Sequence, residues 1–513
     1  MHKGDPSATL TFIKTLGGTA ACLTRFLKLG LAMMREYRLR EAYNRGIQSL
    51  PVEIMERILE FAYDPRDEGW KSLLLVNRYF RDVTYRTSLL WTAVSTNRDP
   101  TPYLERSASR GLLVSVRYFN ERELQFERWI AAIDPHWERW KSFSIGMMPF
   151  LCTENEPRTL IGDPKTIAHR RLRDLRDTYK GRTFPSLETL SVSYGVDVPV
   201  DPAAGVMWQG LVAVLDNSSD PHASVRNFFS TWHMPALRNL EMVGLIPILP
   251  QGCASSITRF DLVLGKTLSP NYLLYSLRVI SDFLRGLTSL QELHLNLDML
   301  KEFLEDEIQP VELSHLKTLA IHASFSFMTA LGPLIRSVSA PELRELMLKV
   351  VAPSAEEAEM FMNHLFPSSR PRFERLEKLS CSVVSDDDDD EMVYCGLDCL
   401  FGRLPRLQHL AITNRSGRWP RNFALHEHFR SPDCLVPPLR TLCFDNCEKL
   451  NMTFILKCLR DIIRSAEFET LEIHNCPRVN TEIVRKAMPK GKELESTEFD
   501  WCTSHLIYSY ILS

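Results

Sequence analysis

The residues best suited to chemistry in this 513-residue chain are cysteines and histidines, but their spacing completes no familiar site. Cys395 with Cys399, and Cys443 with Cys447, place two thiols about one helical turn apart, and thiolates are common zinc ligands. Neither pair has the further Cys or His pair that a zinc set requires. The 12 cysteines are otherwise dispersed, so we expect reduced thiols and no metal site.

Two other motifs match catalytic or phosphate-binding sites only in part. Gly265-Lys266-Thr267 matches the end of a phosphate-binding loop, but Phe260 stands where the first glycine belongs. His426-Glu427-His428 lacks the i, i+4 histidine pair of a zinc-protease helix, and no G-x-S-x-G is present. We therefore predict no catalytic residue and no cofactor, and we expect that the chain is not an enzyme.

Composition and charge are those of an ordinary soluble protein. The net charge of −3 gives no reason to expect a nucleic-acid partner. Residues 15–24 form the longest uncharged run of the amino-terminal segment, well short of the ~20 residues that span a bilayer. We expect no transmembrane segment and a cytoplasmic or nuclear location. The acidic run at residues 386–391 is expected to be a solvated loop, or a site for basic partners.

Residues 1–46 are predicted to form an amphipathic amino-terminal extension. No acidic residue occurs between residues 8 and 34, and on a helix the basic residues fall opposite an apolar row. The basic residues are Lys14, Arg25, Lys28 and Arg35, and the apolar ones are Phe12, Leu16, Leu23 and Leu27. Three interpretations stay open: a packed or free helix, a mitochondrial presequence, and a membrane-surface anchor.

Most of the chain repeats a short unit, L-x-x-L-x-L. The middle leucines of its clearest copies follow one another at steps of about 26, 27, 33, 31, 32 and 29 residues. These leucines are Leu293, Leu319, Leu346, Leu379, Leu410, Leu442 and Leu471. The steps are near or just above the range of leucine-rich repeats. Earlier copies are looser, so we expect a degenerate end up to about residue 183.

The unit dictates a fold. Its last two leucines alternate with polar residues, so they share one face of a short strand. Helical spacing lies between units, as at Leu277, Ile280 and Leu284. Strand followed by helix, repeated, requires a parallel sheet with right-handed crossovers. We predict an α/β solenoid, an irregular leucine-rich-repeat horseshoe with the parallel sheet on its concave side and helices on its convex side.

Residues 47–91 carry more apolar anchors than a short segment can bury by itself, in three helical patterns. Pro51 is suited to a helix start, and Glu53 in the first turn suits the helix dipole. Asp64-Pro65 ends this helix, because the residue before proline disfavours the α region. A second helix is predicted near residues 70–76 and a third near residues 77–85.

This segment resembles the F-box, and the resemblance covers about a tenth of the chain. The matching residues are Leu50, Pro51, Glu53, Ile54, Ile58, Leu59, Leu73, Leu74, Val76, Arg78, Phe80, Arg81, Val83, Leu90 and Trp91. Asn77 replaces the usual Cys, and Phe80 replaces the usual Trp. The late repeats likewise resemble the cysteine-containing repeats of F-box proteins, which implies that Cys447 and Cys476 turn inward.

The resemblance implies a partner, a Skp-type adaptor that links to a cullin in a ubiquitin ligase. The adaptor-binding residues we predict are Leu50, Pro51, Ile54, Ile58, Leu74 and Val76. Leu59, Val83 and Trp91 are instead expected inside the helical trio.

The predicted organisation is an extension at residues 1–46, a three-helix F-box at 47–97 and a leucine-rich-repeat-like domain at 98–513. The repeats would bind an unknown protein substrate, and His294, Lys349 and Thr413 are concave-face candidates by position alone. The alternative is a protein-interaction scaffold, built on the same solenoid, that takes no part in a ligase.

Overall fold

A computed structural model divides the chain into two compact units. A helical unit comprises Met1–Ala93 with Thr101–Arg110, and a sheet unit comprises Val94–Pro100 with Gly111–Ser513. The structure describes most of residues 27–38, with 46, 50–64, 69–117, 123–147, 174–194, 229–244, 246, 248–250, 252–264, 275–297, 303–304, 308–324, 328–352, 355–366, 372–385, 403–413, 438–448, 450, 452–453, 455–456, 467–488 and 492–497.

Apart from the helical residues of the amino-terminal extension, the described part of the helical unit contains four α-helices and two short 3-10 turns. The helices are α1 (Val52–Ala62), α2 (Leu73–Val76), α3 (Arg78–Arg86) and α4 (Thr101–Arg106). The 3-10 turns are Gly69–Ser72 and Ser88–Trp91. The three predicted helices are thus present, and the second is a 3-10 turn that runs into a single α-helical turn.

The sheet unit is built on a 14-stranded sheet whose strands follow the order of the chain. Its strands are β1 (Ala93–Ser95), β2 (Leu112–Arg117), β3 (Trp140–Met147), β4 (Thr189–Tyr194), β5 (Asn239–Val243), β6 (Arg259–Val263), β8 (Glu292–Leu297), β11 (Thr318–Ser324), β13 (Glu345–Ala352), β14 (Lys378–Ser385), β15 (His409–Thr413), β16 (Thr441–Asp445), β17 (Thr470–His474) and β18 (Glu493–Thr497).

Two pairs of short strands lie outside this sheet: β7 (Tyr275–Ser276) with β9 (Phe303–Leu304), and β10 (Val311–Glu312) with β12 (Val338–Ser339). In the large sheet, every neighbouring pair from β2 to β18 is parallel. The prediction of a large parallel sheet is therefore confirmed.

The seven leucines predicted to be equivalent lie side by side in one column across the sheet. The column runs Leu293, Leu319, Leu346, Leu379, Leu410, Leu442 and Leu471. It extends in register through Phe260, Leu240, Leu190 and Phe143 on one side and Leu494 on the other. Alternate positions of each strand are buried, so one face of the sheet carries the core.

Helices between the strands cover part of this core. The described ones are α5 (Glu123–Ile133), α6 (Leu277–Gly286), α7 (Met328–Ser337), α8 (Ala355–Leu365) and α9 (Thr481–Ala487). Ile280 and Leu284, predicted on one helical stripe, are both buried in α6. The segment around residue 455 lies largely outside the described residues, although Ile455 is buried.

The early part of the sheet has an aromatic core. Trp140 and Phe143 of β3 are buried and stacked, and Phe184 and Trp232 are buried with ring centroids 4.6 Å apart. Trp140, Phe143 and Phe184 stand where later repeats have leucines, which explains why the leucine periodicity is weak there. The strands nevertheless keep the same register as the later ones.

A left-handed residue follows three of the strands directly. Gly244, Asn446 and Asn475 have φ of 74°, 51° and 52° and stand immediately after β5, β16 and β17. Glycine and asparagine are the residues that adopt this conformation most readily. Cys447 and Cys476 come next and are buried, and their thiols contact the carbonyls of Ile412 and Phe444. The expectation of inward-turned cysteines is confirmed.

The amino-terminal extension is described only at residue 46 and over most of residues 27–38, and these described residues are helical. Leu27, Leu31 and Tyr37 are exposed there. The rest of the predicted amphipathic helix lies outside the described residues, as do the acidic run, Gly265-Lys266-Thr267 and His426-Glu427-His428. In the described part of the chain, no helix has the length and hydropathy needed to cross a bilayer.

Candidate functional site

Helix α1 presents two apolar faces with different environments. Met55 and Leu59 are buried against the rest of the helical unit. Ile54 and Ile58 recur at i and i+4 on the neighbouring face and are 49% and 46% exposed. The same sequence stripe therefore serves two purposes: one part holds the unit together, and the other stays open to solvent.

The start of α1 is held by backbone and tyrosine contacts. The carbonyl of Pro51 accepts the amides of Ile54 and Met55, each at 3.1 Å. Pro51 itself is the amino-terminal cap, and it offers no side-chain hydrogen bond. The hydroxyl of Tyr79 in α3 donates to the carbonyl of Leu50 at 2.8 Å. These bonds fix Leu50 and Pro51 at the entrance to the helix.

Asn77 connects α2 to α3 and caps the second of them. Its side-chain oxygen accepts the amide of Phe80 at 3.0 Å, which satisfies one of the unpaired donors at the helix start. Phe80 is buried, and Arg81 donates to the carbonyl of Leu74 at 3.0 Å. The departure from the usual Cys at this position therefore has a structural role that we did not predict.

Trp91 packs against aromatic side chains from several segments of the helical unit. Its ring is stacked on Tyr85 and meets Trp70 and Tyr103 edge-on, and its indole N–H donates to the carbonyl of Thr84 at 2.9 Å. The guanidinium of Arg106 lies over the Trp91 ring, 4.4 Å from its centroid. Leu59, Val83 and Trp91 are all buried, as expected for residues inside the trio.

The six residues predicted to bind an adaptor lie at the surface or partly at the surface. Pro51, Ile54, Ile58 and Val76 are exposed, and Leu50 and Leu74 are half-buried. Leu50 and Leu74 also share hydrogen bonds with α3, so they contribute to the packing of the unit as well as to its surface.

The sequence-based prediction of the adaptor-binding surface omitted two exposed apolar residues. Phe61 is 95% exposed and Leu75 is 83% exposed, so both are more open to solvent than Ile54 or Ile58. Phe61 stands at i+7 from Ile54 on the same helix face, a spacing that was visible in the sequence. An open groove on α1 is lined by Ile54, Arg57, Ile58, Glu60, Phe61 and Ala62.

Charged residues flank the apolar row on α1. Glu60 pairs with Arg57 at 3.2 Å and with Arg110 at 2.9 Å, and its side chain is 19% exposed. The ion pair between Glu60 and Arg110 therefore ties α1 to the rest of the helical unit, whereas the Arg57 side chain is largely exposed to solvent. The surface is an aliphatic and aromatic strip with a cationic neighbour, typical of a helix face that binds another protein's helices.

The sheet unit offers a second surface, formed by the strand residues that alternate with the buried column. His294 and Thr413 are half-buried there, and Lys349 is exposed. On this face the sheet brings together Cys443, Glu472 and His474, whose ligand atoms all lie within 4.8 Å of one another. Sequence spacing paired Cys443 with Cys447 instead, but Cys447 turns to the buried face.

Comparison with known proteins identifies the helical segment. Residues 47–97 match the family model of F-box-like domains, so this part of the chain is an F-box-like domain. A search of the curated proteins found no match to the chain.

Proposed function

We propose that this protein is the substrate-recognition subunit of a Skp–cullin–F-box ubiquitin ligase. The observation that carries the proposal is the F-box-like domain at residues 47–97 together with the open apolar row of Ile54, Ile58 and Phe61 on α1. F-box domains bind Skp-type adaptors. In this proposal the chain has no catalytic residue and contributes placement of a target.

The adaptor would cover the exposed side chains of α1 and α2. Full burial of one large apolar side chain is worth roughly 1.5–3 kcal/mol. Ile54, Ile58, Phe61, Leu75 and Val76 supply five such side chains. Their burial is on the scale of the roughly 4–15 kcal/mol that association costs. Leu50, Pro51 and Leu74 would contribute at the edges of the same contact.

We infer further that the repeated strands form a leucine-rich-repeat solenoid and that its polar face binds the target protein. The leucine column supports this inference, because it gives each unit the same inward and outward positions. His294, Lys349 and Thr413 occupy outward positions on three different strands. A binding face of this kind suits a folded partner better than a small molecule, because it is a broad surface.

Affinity purification of the tagged full chain tests the proposal, with mass spectrometry of the captured proteins. We expect a Skp-type adaptor and a cullin to co-purify. Ile54→Asp with Ile58→Asp should abolish capture of both. Ile483→Asp is the matched control, because Ile483 is 47% exposed on α9 of the sheet unit and its replacement should leave capture unchanged.

Each other outcome rejects part of the proposal. Capture of the adaptor without a cullin would indicate that this protein and the adaptor act as a pair outside a ligase. Capture of neither the adaptor nor a cullin would favour a scaffold that uses the sheet unit alone. Capture that survives the double replacement would show that α1 is not the adaptor contact, even if the ligase is assembled.

A further inference from the structure

Three nearby cysteines differ in the direction they face. Cys447 and Cys476 are buried, and their thiols contact backbone carbonyls. Cys443 lies between the buried residues Leu442 and Phe444 of β16, so its side chain emerges on the opposite, polar face. Of the three, it is the thiol that a solvent ion can reach.

The neighbouring strand brings two further metal ligands to this thiol. The register of β16 and β17 pairs Cys443 with Glu472 and Asp445 with His474. Glu472 and His474 are two residues apart, so both side chains lie on the polar face beside Cys443. Nε2 of His474 is 3.5 Å from a carboxylate oxygen of Glu472.

The spacing of the three ligand atoms suits a single ion. Sulfur, imidazole nitrogen and carboxylate oxygen all lie within 4.8 Å of one another. Ligands on a tetrahedral zinc ion, bound at about 2.0–2.3 Å, stand roughly 3.5 Å apart. The His474–Glu472 pair is already at that distance, and the Cys443 sulfur lies within 4.8 Å of both atoms.

The ligand chemistry selects the ion. Thiolate and imidazole are poor ligands for Ca²⁺ and Mg²⁺, which prefer oxygen. A set of one sulfur, one nitrogen and one oxygen fits Zn²⁺. Asp445 stands next to His474 and adds a second carboxylate nearby, with its own oxygens held by Asn446 and Asn475.

We propose that Cys443, Glu472 and His474 form a Zn²⁺ site on the polar face of the sheet. As the zinc–sulfur bond forms, the Cys443 thiol releases its proton to solvent. Three protein ligands leave a fourth coordination position for water. In the described part of the chain, this is the group of three or more His, Cys, Asp or Glu side chains whose ligand atoms all lie within 4.8 Å of one another.

The test uses the purified full chain, freed of metal by chelation and kept reduced. Titration with Co²⁺ should give the charge-transfer absorption of a cobalt–thiolate bond, and Zn²⁺ should displace it. Competition with a chromophoric chelator gives the affinity. Cys443→Ser should remove the absorption, and Cys443→Ser and His474→Gln should each weaken Zn²⁺ binding by more than about tenfold.

Cys253→Ser is the matched control, because Cys253 is a free cysteine far from this cluster in the sheet order and should keep wild-type binding. A second readout is the Zn²⁺-dependent rise in Tm, which wild type should show and the ligand variants should lack. A purely structural role for these side chains would lower the metal-free Tm without changing that rise.

Wild-type protein without the cobalt–thiolate absorption would overturn the proposal. So would a Cys443→Ser variant that binds Zn²⁺ as tightly as wild type. If Cys443→Ser fails to fold, Glu472→Gln and His474→Gln decide the matter, since both retain side-chain volume and hydrogen bonding.

Discussion

Asp261 and His294 face each other across neighbouring strands, with Oδ1 of the carboxylate 2.6 Å from Nδ1 of the imidazole. Nδ1 must carry a hydrogen for this contact, and both ring nitrogens do so when the imidazole is protonated. Arg259 donates to the other oxygen of Asp261 at 2.9 Å. Burial alone would raise the pKa of Asp261, but hydrogen bonds from His294 and Arg259, with their charges, lower it below its usual value.

Acidification should therefore destabilise the sheet unit partly through Asp261. A carboxyl whose pKa is lowered by folding contributes stability above its unfolded pKa, about 3.9, and loses it as the pH falls through the folded value. Asp261→Asn should lower stability by about 1 kcal/mol at pH 7 and flatten the loss of Tm below about pH 4.

Glu342→Gln is the control for this measurement. Glu342 pairs with Arg375 at 2.6 Å, but both side chains are well exposed. Solvent screening makes such pairs contribute little to stability. The change in Tm caused by Glu342→Gln should therefore be smaller than the change caused by Asp261→Asn. Equal effects of the two replacements would mean that the Asp261 contacts add nothing beyond a surface ion pair.

The two apolar faces of α1 should separate stability from binding. Met55→Ala should destabilise the helical unit by roughly 2–5 kcal/mol, because it opens a cavity in a buried position. Ile58→Ala should leave the stability within about 0.5 kcal/mol of wild type but weaken adaptor capture. Differential scanning fluorimetry and adaptor pull-down measure the two properties. A large stability loss in Ile58→Ala would contradict the assignment of an open face.

Loss of the Asn77 cap should loosen α3. Asn77→Ala removes the acceptor for the Phe80 amide and should cost about 1 kcal/mol. Hydrogen exchange of peptides from residues 78–86 should quicken, whereas Asn77→Asp should restore protection because aspartate caps equally well. Asn480→Ala removes a similar cap from α9 and should leave exchange in α3 unchanged.

The Cys443 thiol should alkylate slowly in the metal-free protein. Burial, the charge of Glu472 and a hydrogen bond to Glu472 raise the pKa of Cys443 to about 12. The reactive thiolate is therefore scarce at pH 8. Glu472→Gln should lower that pKa and increase the rate of iodoacetamide labelling, measured by mass spectrometry of the Cys443 peptide. An unchanged rate would show that access, rather than protonation, limits the reaction.

Gly332 should be needed for the contact between α7 and α8. A Cβ at this position would lie 2.6 Å from Cδ2 and 3.2 Å from Cγ of His364. Overpacking typically costs about 1–3 kcal/mol, more than the up to ~1 kcal/mol gained when alanine replaces glycine in a helix. Gly332→Ala should therefore lower the Tm. Adding His364→Ala should recover part of the loss.

Gly286→Ala is the control, because a Cβ there meets Ala254 at an ordinary 3.8 Å. It should have little effect on the Tm. A Gly332→Ala variant as stable as wild type would show that the His364 ring moves aside without cost.

The sequence by itself determined the repeating architecture. Alternation of period two and a step near 30 residues predicted strands that pair in parallel, and the leucines chosen from the pattern lie in one register. The helical trio and its buried residues Leu59, Val83 and Trp91 were equally readable. These features are local or periodic, so a linear pattern of apolar residues specifies them.

Only the tertiary structure decided which side chains meet across the repeat. Cys443 and His474 are about 30 residues apart, and no local sequence pattern brings them together. Strand register pairs Cys443 with Glu472, two residues before His474 on the same face, whereas Cys447 follows the left-handed residue Asn446 and is buried. The contact between Asp261 and His294 also depends on strand register. The length of the segment that connects two strands varies between repeats, so the sequence alone does not specify which residues pair.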